Sequence, residues 1–87
     1  MTIRLCHLEF DHVVYDAESD VLYLSVGEPQ PAADSEATAE GHAIRYDANG
    51  EIVGITIVNA KWLIERHGQI EIPLRLDAED LAPALSG

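Results

Sequence analysis

The chain reads as a small α+β domain: an antiparallel sheet of two β-hairpins, about four to five strands in all, with one short helix and an extended C-terminal arm. Three observations predict this. Two pairs of runs rich in β-branched, aromatic and aliphatic residues are each joined by a short polar turn. The second pair is reversed at Asn49-Gly50, the dipeptide that best tolerates the positive φ of a tight hairpin. One window, residues 60–67, lies between Asn59 and Gly68, residue types that start and stop helices.

With 87 residues, one domain spanning 1–87 is expected, with its hairpin core at 12–60 and its arm at 68–87. Hydrophobic residues at 47% and charged residues at 24% place it in the globular class. No apolar run reaches the length of about 18 residues that would suggest a membrane span. The start, MTIRLCHLEF, carries Glu9 and a single Arg, unlike a signal peptide. The expected location is therefore the cytoplasm, which suits a lone Cys6 that can close no internal disulfide.

The first hairpin joins residues 10–15 (FDHVVY) to 21–26 (VLYLSV), with Asp16 and Asp20 bracketing the turn and accepting its unpaired N–H groups. Residues 2–8 either lengthen the first strand or form one of their own, because Cys6 and Leu8 blur the alternation of Ile3 and Leu5. Residues 28–38 (EPQPAADSEAT) carry no strand or helix pattern and read as an exposed, mobile connection. The second hairpin runs 41–47 and 51–58. A two-residue type I′ turn would pair Tyr46 with Val53, whereas a type I turn with Gly50 in a bulge would pair it with Ile52. Gly54 leaves a gap on its strand face into which the ring of Tyr46 or Tyr23 could lie.

In the helix at 60–67, Leu63 and Ile64 would face the sheet and Trp62 would turn part of its indole to another surface. Beyond Gly68, Ile70, Ile72, Leu74 and Leu76 alternate with polar residues, and Pro73 confines the segment to a sheet edge or an arm. Asp77 and Asp80 suggest a capped terminal turn at 78–85, which Pro83 would limit.

Sixteen acidic and five basic residues give a formal charge of −11. Such a balance speaks against nucleic-acid binding by the chain itself and against anionic membrane surfaces, and it complements a basic protein partner. His7, His12, His42 and His67 show no metal-ligand spacing and read as solvated or packing histidines. Ser19, Ser25 and Ser35 lack a nucleophile context, Lys61 is the sole lysine, and the carboxylates have no evident apolar pocket. No catalytic, cofactor-binding or metal-binding residue is assigned, no cofactor is expected, and an enzymatic role is disfavoured.

Two motifs carry a resemblance. HVVYDAESDVLYLSV and HAIRYDANGEIVGITIVNA, with Tyr15-Asp16, Asp20, Leu22-Tyr23 and Tyr46-Asp47 through Gly50-Glu51-Ile52-Val53-Gly54-Ile55, resemble domain-of-unknown-function family 2283, a family of small prokaryotic domains. The resemblance covers about residues 12–60. It implies a compact β-rich domain closed by a short helix and no established activity, and an antitoxin-type role is suggested by the toxin-like neighbours of some members.

Finally, residues 21–26 and 52–58 bear apolar side chains of both parities, Val21 and Tyr23 against Leu22, Leu24 and Val26, and Ile52 and Val58 against Val53, Ile55 and Ile57. One short helix covers one face only, so the arm or a second subunit is expected on the other. The reading is an acidic interaction domain, self-associating as a homodimer and open to a basic partner. The candidate interface or pocket residues are Tyr15, Tyr23, Tyr46, Trp62, Ile70, Ile72, Leu74 and Leu76. A small-ligand binder or minor enzyme with a pocket between the tyrosines and Trp62 is the alternative.

Overall fold

The computed structural model describes residues 2–5, 8–27, 32–72 and 75–85. In chain order these form β1 (Ile3–Leu5), β2 (Leu8–Phe10), β3 (His12–Asp16), β4 (Val21–Ser25), β5 (Asp34–Ala37), β6 (Ala43–Tyr46), β7 (Ile52–Val58), α1 (Ala60–His67), β8 (Gln69–Glu71), β9 (Arg75–Asp77) and α2 (Ala78–Leu85). The centre is a five-stranded antiparallel sheet in the order β3-β4-β7-β6-β5, and β1-β2 and β8-β9 form two-stranded ribbons. Residues 2–8 thus supply a strand of their own, paired through Ile3 with Phe10.

Both predicted hairpins are present. In the first, Asp16 Oδ1 accepts the Glu18 N–H at 3.1 Å, fixing the reversal. In the second, Tyr46 pairs with Ile52, the Gly50 N–H donates to the Asp47 carbonyl at 3.0 Å, and Gly50 has φ 81°. This is the bulged alternative, stapled by Asp47 Oδ1, which accepts the N–H groups of Asn49 (2.8 Å) and Glu51 (3.0 Å). The register shifts again between Arg45 and Tyr46, so Val53 is an extra residue between the pairs Arg45–Gly54 and Tyr46–Ile52. Its consequence corrects the expected facing of Ile52: the bulge turns that side chain onto the core, where it packs half-buried beside Tyr46.

Residues 34–37, read as part of a mobile connection, are instead the edge strand β5, paired with β6 from Asp34–Tyr46 to Ala37–Ala43. All four of its residues are exposed, so no apolar alternation marks it, and the pairing is supplied by the free backbone edge of β6. The remaining residues of that connection, 28–31, lie outside the described residues.

Of the two courses left open, the C-terminal arm takes the one in cis, but on the core side of the sheet and not on the second face. It folds back on its own chain, as the β8-β9 ribbon and then an eight-residue helix that continues past Pro83 to Leu85. The Asp77 N–H donates to Asp80 Oδ2 at 3.3 Å, the reach-back half of a capping box. Helix α2 rests against β1, β3, β9 and α1. One apolar cluster results, built from Leu22, Leu24, Ile44, Ile55 and Ile57 of the sheet and from Ile3, Phe10, Ile70, Ile72, Leu76, Leu81 and Leu85 of the segments laid over it.

Candidate interaction surface

Strand pairing decides which side chains share a face, because residues directly opposite point the same way. Val13, Tyr15, Leu22, Leu24, Ile44, Ile55 and Ile57 point into the core. The reverse face carries, in three rows across the strands, Asp16, Val21 and Val58; Val14, Tyr23, Thr56, Ala43 and Ala37; and His12, Ser25, Gly54, Arg45 and Ser35. No segment covers this second face among the described residues. Val14 is 60% exposed and Tyr23 41%.

The face has an unusual charge pattern. Among the described residues it holds one carboxylate, Asp16, and its cation is Arg45. The guanidinium of Arg45 lies flat across β7 against Gly54, where an added Cβ would collide with Nη2 and sit 2.7 Å from Nε. Its Nη2 reaches Ser25 Oγ on β4 at 3.4 Å, while the buried Nε has no hydrogen-bond partner. Gly54 therefore accommodates a cation and not the tyrosine ring expected there. Arg45 is the residue paired directly with Gly54, whereas Tyr46, one position on, points to the opposite face.

A second constellation joins the two motifs. Tyr15 Oη donates to Asp20 Oδ1 at 2.7 Å, and Asp20 also accepts the N–H groups of Lys61 (2.8 Å) and Trp62 (3.2 Å) while its carbonyl accepts that of Ala60 at 3.1 Å. The turn of the first hairpin thus caps α1 from a distance. Asn59 occupies the position before the helix but is left-handed at φ 56° and makes no side-chain cap bond. Local sequence rules point to Asn59 because they look only at the adjacent residue; Asp20 is some forty residues away, and only the strand order brings it there. Burial pulls the Asp20 carboxyl upward, but the bonds from Tyr15, Lys61 and Trp62 outweigh it and hold the group below its ordinary value of 3.8. The same bond to Asp20, with burial second, pushes the Tyr15 hydroxyl up to about 12. Both effects favour a locked phenol–carboxylate pair over a proton-transfer site.

The predicted site residues do not share a pocket. Tyr15 points to the core side and Tyr23 to the reverse face. Tyr46 borders a shallow groove of about 440 Å³ with Asp34, Glu36 and Asp47, and burial followed by the charge of Glu36 raises its hydroxyl pKa. Trp62 is 51% exposed on α1, with the Arg66 guanidinium 4.7 Å over its ring. Ile70, Ile72 and Leu76 are buried in the chain's own core, which corrects their reading as an interface arm. Once the arm folds in cis, its alternation matches the inner side of this chain. Leu74 and Pro73 lie outside the described residues.

Among the described residues His42 is the one polar side chain that is fully buried. Its Nδ1 accepts the Val58 N–H at 3.1 Å, so the imidazole is held neutral with its proton on Nε2. His12 is far from it, since β4 and β7 separate β3 from β6. Burial lowers the His42 pKa below 6.5, opposed by the nearby charge of Glu40. Above pH 6.5 both folded and unfolded chains carry it neutral. Below that value the unfolded chain takes the proton first, so stability falls with pH until the lower folded pKa is passed. Urea unfolding at pH 7.5 and 5.5 is expected to show this loss in the wild type and to lose it in His42→Gln; equal slopes in both would assign the dependence elsewhere.

Among the described residues no three His, Cys, Asp or Glu side chains cluster as metal ligands, and no helix is long and apolar enough to cross a membrane. The profile of the family described as protein of unknown function (DUF2283) matches residues 12–61, more than half of the chain. The chain belongs to DUF2283. The match opens at β3 and closes at Lys61, so it contains the whole five-stranded sheet and the Asp20 cap of α1. The ribbons and α2 that bury one side of the sheet lie outside the DUF2283 match. No curated protein and no solved structure matches the chain.

Proposed function

We propose that this DUF2283 domain is an interaction module, self-associating through the reverse face of its sheet and open to a basic protein partner over its acidic remainder, in the manner of an antitoxin. The observation that carries the reading is the uncovered face itself: among the described residues the cover segments all go to one side, leaving Val14 and Tyr23 in solvent on the other. Water contact along an apolar sheet face is relieved when a second surface lies on it, and a two-fold pairing does so with one surface used twice. The charge supports the second half, since a net −11 steers cationic partners and repels nucleic acid. The lone Cys6 and the missing span signals favour a cytoplasmic setting.

Light scattering after size exclusion is expected to give twice the 9.5 kDa chain mass at micromolar concentration. Val14→Asp with Tyr23→Glu is expected to return a folded monomer, raising the dissociation constant by about a hundredfold or more. A wild-type chain that stays monomeric at high concentration would overturn the self-association. Failure of any basic protein to co-purify would remove the partner half.

A further inference from the structure

We infer that two copies of this chain pack sheet on sheet at right angles, each placing its Asp16 carboxylate on the partner's Arg45 guanidinium. The inference rests on the self-associating reading above and specifies its geometry. Its starting point is the charge left on the reverse face: an Arg45 whose buried Nε has no acceptor and which, among the described residues, forms no ion pair with a carboxylate. A charged donor group with so few partners is costly to hold on a sheet face, and because the Arg45 side chain as a whole is only half-buried its guanidinium stays within reach of an anion from outside.

Within one copy that anion cannot be Asp16. Arg45 lies in the row Ser25–Gly54–Arg45 and Asp16 in the row ending Val21–Val58, four residues further along the strands and three strands across. At about 3.4 Å per residue and about 4.8 Å per strand, each leg is about 14 Å and the diagonal about 20 Å. The two groups stand at opposite corners of the face.

In a second copy the corners can meet. A two-fold axis lying between two facing sheets exchanges the corners only if it crosses the diagonal at its midpoint and at right angles. Because the two legs are equal, such an axis runs at about 45° to the strands, and the strands of the two sheets then cross at about 90°, one of the two established modes of sheet packing. The midpoint falls between Tyr23 and Thr56, so the most exposed ring of the face sits beside the axis against its own counterpart. Both ion pairs form at once, an isologous arrangement that needs no other charge. Two chains of charge −11 meet on this face with little local repulsion, because its one carboxylate among the described residues is matched by a cation.

The test is a charge exchange read by sedimentation equilibrium, with circular dichroism confirming the fold of each variant. Arg45→Asp and Asp16→Arg alone are each expected to raise the dimer dissociation constant by about tenfold or more, and the double variant to recover to within about threefold of wild type. Asp16→Asn, which keeps the amide oxygen that holds the turn, and Gly54→Val, which displaces the guanidinium without deleting it, are expected to weaken the dimer as well. A dimer that breaks with the Val14 and Tyr23 changes but ignores all four single substitutions at Asp16, Arg45 and Gly54 would overturn this pairing while leaving self-association intact. A double variant no tighter than the singles would overturn it too. A wild-type chain that is monomeric alone yet binds a polylysine peptide over Tyr23 would overturn both, with a basic occupant in place of the second copy.

Discussion

Leu81→Ala in helix α2 is expected to lower the unfolding free energy by about 3 kcal/mol or more, the range for emptying a fully buried leucine site. Leu81 is completely buried, and α2 closes the core against β1, β3, β9 and α1. Against a typical total of about 4–13 kcal/mol for a chain of this length, the loss is large enough to shift the urea midpoint well clear of error. The result also tests where the arm belongs. If α2 served another subunit, the effect would vanish in a monomeric background; packed in cis, it persists undiminished in the Val14→Asp, Tyr23→Glu chain. A change below about 1 kcal/mol, or one seen only in the dimer, would contradict the packing described above.

Asp20→Ala is the second large effect, expected at about 2–3 kcal/mol. It removes the acceptor of two N–H groups at the start of α1, for which caps are typically worth about 1–2 kcal/mol, and it orphans the Tyr15 hydroxyl at about 1 kcal/mol. It also puts alanine at φ 57°, a left-handed conformation that Asp and Asn tolerate better. Asp20→Asn keeps an oxygen for the helix and the tolerated backbone, so its loss is expected to be under half as large. Tyr15→Phe alone is expected to cost about 1 kcal/mol, and the double variant with Asp20→Ala should cost less than the sum, because the two groups share one bond. The pH signature is separate from that of His42. A carboxyl held below 3.8 contributes stability that is complete above that value and is lost as pH falls through the lower folded pKa, so the Asp20 contribution disappears in acid, below the window in which His42 acts. Equal stabilities for wild type and Asp20→Ala near neutral pH would remove the cap from the account.

Much of the fold is legible in the residues because its rules are local. Asn49-Gly50 marks the second reversal, Asp16 the first, and Gly68 ends α1 with its N–H on the Ile64 carbonyl. The site was less legible. Tyr23 was visible as an apolar residue of the wrong parity for the core, and its exposure follows from that parity. Arg45 was not, because an arginine in a strand looks solvated until its pairing with Gly54 shows that the guanidinium has a slot to fill. Asp20 looked like a turn residue since nothing local to it reveals a helix start forty positions later. Strand β5 was missed because Asp34, Ser35, Glu36 and Ala37 have no core side to advertise.

The α+β class, the two hairpins, the extent of α1 and the excess of apolar side chains on a sheet with two faces can all be read from the residues, because they follow from turn chemistry and period-two or helical spacing. That the N-terminal ribbon, the arm and α2 all cover the same face, that a bulge at Val53 sends Ile52 inward, and that Asp20 caps α1 emerges from the folded chain alone. These are outcomes of long-range pairing, where the free energy depends on which surfaces meet and not on the neighbours along the chain.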